Sequence, residues 1–165
     1  GTRFVLLDPA RQPRPPFSLS RLGVEIAWVA APVPQGPTGE LAEEIVFANL
    51  GTGLRPYAPV HLKGRRDPAT GDWLITWIRR TRIGGDSWGF EVPLGEESER
   101  YLVEIVDPGT AEVVRTIEVT SPSVHYATAQ QTADFGDPVT EFGVAVSQVS
   151  QSYGRGTPVE ATIHV

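Results

Sequence analysis

Apolar and polar residues alternate with a period of two through most of residues 59–165. Trp73, Ile75 and Trp77 share one face of a strand, and Tyr101, Val103 and Ile105 repeat the pattern. Phe142, Val144 and Val146 follow it, then Val159, Ala161, Ile163 and Val165. Alternation of this kind, punctuated by Gly, Pro and Asp, predicts strands of an antiparallel sandwich. The predicted strands cover residues 61–64, 73–79, 101–106, 112–120, 124–128, 141–149 and 159–165. The turn DPATGD (67–72) joins the first two. DPGT (107–110) has Pro second and Gly third, the preference of a type II turn. YGRGT (153–157) is expected to turn into the last strand. Seven strands with no helix fit an Ig-like sandwich. The expected fold is therefore all-β: an antiparallel β-sandwich preceded by a short β-rich segment.

Residues 1–56 read differently. Strands are expected over 3–7, 24–29 and 44–48, with Val24, Ile26 and Trp28 on one face of the second. Pro13, Pro15 and Pro16 favour an extended connector between the first two. PVPQGPTGE (32–40) is a loop by composition. Three loosely spaced strands are few for independent stability. The expected division is a β-rich N-terminal segment, 1–56, and a sandwich, 57–165. The first is read as the end of a preceding domain, packed on or linked to the next. GTGLRPYAP (51–59) looks like the junction, because its glycines and prolines break any ladder.

The sandwich pattern contains one irregularity. The order Trp, Tyr-x-Val, Phe-x-Val-x-Val and a Gly-rich turn resembles a fibronectin type III module. Such modules join the strands carrying Trp77 and Tyr101 by a short loop. Here the connection runs over residues 80–100, RTRIGGDSWGFEVPLGEESER, from Arg80 to Arg100. Loops that long are uncommon and are usually functional or ordered by packing.

Composition narrows the function classes. The chain has 165 residues, no Cys and no Met, and a net charge of −6. It can bury a core without staples, and neither disulfides nor thiolate metal sites are available. A start at Gly1, no Met and an immediate strand pattern lead us to expect a piece of a longer polypeptide. No apolar run approaches the roughly 18 residues of a membrane span, so no membrane insertion is expected. Arg79, Arg80 and Arg82 lie near Glu91, Glu96, Glu97 and Glu99, which reads as a self-paired, solvated surface rather than a nucleic-acid site.

Catalytic signals are weak. His61, His125 and His164 are far apart and lack metal-ligand spacing. Asp67 and Asp72 bracket a turn and fit backbone capping better than Ca²⁺. Glu96, Glu97 and Glu99 are too close in sequence to frame a sugar cleft with carboxylates about 5–9 Å apart. No GxSxG, Walker loop or GxGxxG is present. No enzyme activity, metal or cofactor is expected. The candidate binding loop is Arg82, Asp86, Ser87, Trp88 and Phe90, between Gly84, Gly85 and Gly89. Its aromatics can stack on a sugar or anchor a protein partner. They can equally fold back and plug the sandwich end.

Four phrases carry a further resemblance: GLRPYAPVHLKGRRD (53–67), LITWIRRTRIGGDSW (74–88), EVPLGEESERYLVEI (91–105) and SQSYGRG (150–156). Together they resemble the C-terminal region of the large tail-tip, host-specificity proteins of gene transfer agents and related tailed phages. The resemblance implies a baseplate component of a virion, extracellular when released. It implies a long connector in this position. Its partners would be other tail-tip proteins and a host-envelope glycan or protein, with no nucleic acid. The isolated chain is expected as a monomer, and the particle as the place where it would be trimeric. The alternative function is a carbohydrate-binding or spacer module of a secreted polysaccharide-active enzyme.

Overall fold

The computed structural model describes residues 18–32, 36–85 and 92–165. The chain divides into two compact units, Gly1–Thr52 and Gly53–Val165. The expected strand over 3–7 lies outside the described residues.

The described part of the first unit is a hairpin. Strand β1 (Glu25–Ala30) pairs antiparallel with β2 (Glu43–Ala48), with Ile26 opposite Phe47 and Trp28 opposite Ile45. These four residues share a face, and the Trp28 and Phe47 rings stack with centroids 5.9 Å apart. The Gly23 amide donates to the Asn49 carbonyl and closes the base of the hairpin.

The second unit is a two-layer sandwich. One sheet has the order β3 (Val60–Arg66), β4 (Trp73–Ile78), β7 (Ser123–Tyr126). The other has the order β6 (Val113–Val119), β5 (Tyr101–Val106), β8 (Glu141–Ser150), β9 (Gly154–His164). All pairings are antiparallel. The fourth sandwich strand, β6, folds back as a hairpin onto the third, β5, which gives the fibronectin type III-like form of the Ig-like sandwich.

The alternation selects the core. Trp73, Ile75, Trp77, Tyr101, Val103, Ile105, Phe142, Val144, Val146 and Ile163 are all buried. Val159 and Ala161 pack against them partly buried, whereas Val165, beyond the last strand, is 79% exposed. Trp73 meets Phe142 edge-on at 5.3 Å, and Trp77 meets Tyr101 edge-on at 5.1 Å. Each pair spans the two sheets, and such contacts add about 0.5–1.5 kcal/mol beyond area burial. His125 and His164 are exposed.

Three details depart from the sequence reading. First, β7 ends at Tyr126 and a helix follows, α1 (Thr128–Phe135). Its first amide, on Thr128, donates to Asp72 Oδ1 at 2.7 Å, and the Ala127 amide donates to Gln130 Oε1 at 2.9 Å. Fully buried Gln131 donates to the Gly71 and Tyr126 carbonyls and accepts from the Val139 amide. Gly136, at φ 88°, caps the end. Asp134 receives a two-pronged bond from Arg115 on β6 and the Tyr126 hydroxyl at 2.7 Å. Burial alone would raise the Asp134 carboxyl, but these two donors outweigh it and hold it below the ordinary value.

Second, residues 154–156 are in β9 rather than in a turn. A Cβ on Gly156 would lie 2.7 Å from Pro56 Cβ and 2.8 Å from the Gln148 carbonyl, so this glycine permits close packing inside a strand. Third, the turn at 107–112 is not type II. The Asp107 side chain accepts from the Gly109 amide, and the Ala111 amide donates to the Asp107 carbonyl. The left-handed residue is Ala111, at φ 60°, instead of Gly109. The turn at 67–72 has the same bonds, with Gly71 at φ 78° in the matching position.

The two turns therefore predict opposite outcomes for opposite substitutions. Ala111→Gly should raise stability by about 0.5–1 kcal/mol, since left-handed backbone costs an L-residue roughly 1–2 kcal/mol and added unfolded-state freedom returns part of it. Gly71→Ala should lower stability, because its Cβ would also lie 3.0 Å from Thr128 Oγ1. Urea denaturation midpoints check both; a destabilised Ala111→Gly would contradict the shared turn geometry.

Candidate functional site

The connector leaves β4 after Ile78 and returns at Tyr101. Of the candidate binding loop, Arg82 is described; Asp86, Ser87, Trp88 and Phe90 lie outside the described residues. Residues 79–85 and 92–100 form two arms that lie against each other. Arg79 donates from both terminal nitrogens to the carbonyls of Pro93 (2.8 Å) and Val92 (2.7 Å). Arg82 Nε donates to Glu96 Oε1 at 2.9 Å, and the Glu96 side chain is 2% exposed. A Cβ on Gly95 would lie 2.6 Å from Thr81 Oγ1, which shows how closely the arms cross.

Among the described residues the expected self-pairing of this charge cluster is partial, and Glu91 lies outside them. Arg82 and Glu96 pair, but Arg79 and Arg80 bind backbone. Arg80 Nε donates to the Ala58 carbonyl at 2.8 Å, and its guanidinium carbon stands 5.3 Å from the Tyr57 ring centroid. Bonds from arginine to carbonyls leave no sequence signal, because every residue carries the acceptor.

The returning arm is clamped to the β8–β9 turn. Glu97 Oε2 accepts from the Gln151 amide (3.0 Å) and the Ser150 hydroxyl (3.3 Å), and Oε1 accepts from the Ser152 amide (3.2 Å). Its own backbone amide, the Ser152 side chain and the Gln151 amide together depress the carboxyl from the ordinary 4.5 to about 2. Glu99 accepts from the Tyr101 hydroxyl at 2.7 Å. Burial, helped by Glu99, raises the Tyr101 phenol. On the other side, the Thr157 amide donates to the Pro56 carbonyl and fixes residues 56–58 against β9.

Beside the arms lies an open cleft of about 540 Å³. Tyr57, Arg79, Arg80 and Arg82 line it together with Gly84 and Gly85. A second groove, of about 600 Å³, lies on the outer face of the four-stranded sheet near the 107–112 turn. Its Glu104 is bound by Arg155 from across the sheet, and small residues, Gly143 and Ala145, form its floor. Among the described residues no cluster of His, Asp and Glu has the arrangement of a metal site.

Comparison with models of protein families finds no match, and comparison with curated proteins finds none. Among solved structures, domains d3–d4 of the rat CD45 extracellular region are similar at 14% identity and a TM-score of 0.45, over 100% of this chain and 76% of that one. An Fn3-like protein from Clostridium thermocellum is similar at 19% identity and a TM-score of 0.41, over 67% and 93%. The FN5 domain of Drosophila Lar is similar at 14% identity and a TM-score of 0.38, over 67% and 98%. These are likenesses of fold and assign no functional residue.

Folding lowers the Glu97 pKa, so the clamp stabilises the fold above pH 4.5, weakens as pH falls and is lost below about pH 2. In an NMR acid titration the Gln151 and Ser152 amides should therefore report a midpoint near 2. Glu97→Gln should remove that titration and speed exchange of both amides. A midpoint near 4.5 would show that the clamp is not formed.

Proposed function

We propose that this chain is a non-enzymatic structural or adhesive module of a tail tip, in a gene transfer agent or related tailed phage. One observation supports the reading. The four phrases that carry the resemblance are separated by up to dozens of residues, yet each contributes residues to one end of the sandwich. Pro56 and Ala58 come from the first, Arg79 and Arg80 from the second, Glu96 and Glu97 from the third, and Gln151 and Ser152 from the fourth. A resemblance confined to core strands would have reflected the fold alone. A clamped, polar end is the part of such a module that meets something else.

The mechanism is rigid display. The sandwich holds the connector in place, so contact with a host surface or a neighbouring tail protein costs little ordering entropy. Its partners are then tail-tip proteins and host-envelope groups, and its location is the virion. Deleting residues 53–165 from the tail-tip protein of producing cells tests this. Particles should form tips poorly or adsorb to hosts poorly. Normal particles with normal adsorption would overturn the proposal.

A further inference from the structure

The cleft beside the connector joins cationic donors to an aromatic ring. A guanidinium carries five N–H donors. The described residues engage two of these on Arg79 and one on Arg80. Carbonyls hold Arg79 through both terminal nitrogens and Arg80 through Nε, so capturing a ligand on the remaining N–H groups would freeze little further motion. Arg82 is already neutralised by Glu96. Among the described residues no carboxylate lines the cleft, and among them Arg79 and Arg80 form a local positive centre in a chain of net charge −6. Tyr57 is 49% exposed beside Arg80. The 540 Å³ volume falls within the roughly 300–1,000 Å³ usual for small-molecule sites.

We propose that this cleft binds a saccharide bearing an anionic group, carboxylate or phosphate. Arg80 and Arg79 take the anion through charge-assisted bonds. The Tyr57 ring meets the apolar face of the sugar. Extended nucleic acid fits poorly, since it needs clustered, unopposed cations over a longer track. This inference rests on the tail-tip reading only in naming what the displayed end would meet.

The test titrates the 165-residue chain with an oligogalacturonate, a hexose phosphate, a neutral oligosaccharide and inorganic phosphate, followed by NMR of the arginine Nε–H and tyrosine ring signals. At least one anionic saccharide should move the Arg80, Arg79 and Tyr57 signals and bind about tenfold tighter than the neutral sugar or inorganic phosphate. The oligogalacturonate and the hexose phosphate distinguish a carboxylate from a phosphate ligand. Arg80→Gln should weaken that binding about tenfold. Lys63→Gln with Arg65→Gln, exposed cations on β3 away from the cleft, should leave it unchanged. If Arg80→Gln unfolds the chain, Tyr57→Ala keeps the Ala58 anchor and should weaken saccharide binding while sparing inorganic phosphate. No shift with either anionic saccharide overturns the proposal. So does equal weakening by the β3 variants, or inorganic phosphate binding as tightly as the sugars. Absent saccharide binding, together with failed adsorption after deletion of the segment, would overturn the ligand alone.

Discussion

The edge-on contact between Trp77 and Tyr101 determines what the rest of the second unit can do. These rings come from different sheets and mark the points where the long connector departs and returns. Their contact closes the base of the connector as part of the core. The ends of the excursion are therefore fixed before any connector contact forms, and the closure entropy is met by burial already required for the sandwich. Arg79 and Glu99, beside those strands, then hold groups within reach: two carbonyls of the returning arm and the Tyr101 hydroxyl.

The connector is stabilised mainly by polar bonds to backbone. Arg79, Arg80 and Glu97 all reach main-chain groups. Each such bond contributes modestly, since folding exchanges water for protein partners. Their value lies in number and direction, because they come from three chain segments and fix one another's positions. The same arrangement places Arg79 and Arg80 along the wall of a cleft.

Period-two patterning made the strands legible because each buries one face, and their inward residues follow directly. It failed where structure is held by polar groups. Helix α1 buries Gln131 rather than an apolar stripe, so no helical hydrophobic period advertised it. Gly136 and Pro138 were the available signals of a helix end. The DPGT turn departs from type II because Asp107 caps the Gly109 amide and the left-handed position moves to Ala111. Gly156 read as turn chemistry, but its role is to admit Pro56. In the candidate site, the length of the connector points to this end of the sandwich. The positions of Arg79 and Arg80 depend on contacts with distant carbonyls, and Tyr57 meets the Arg80 guanidinium, none of which local spacing records.

The described arms of the connector form a fixed platform continuous with the sandwich. Backbone ¹⁵N relaxation across the 165-residue chain tests it most directly. Residues 79–85, 92–100 and 150–153 should show order parameters near those of rigid backbone, about 0.85, matching strands β4 and β5. Values below about 0.6 through both arms, with the strands still rigid, would contradict it.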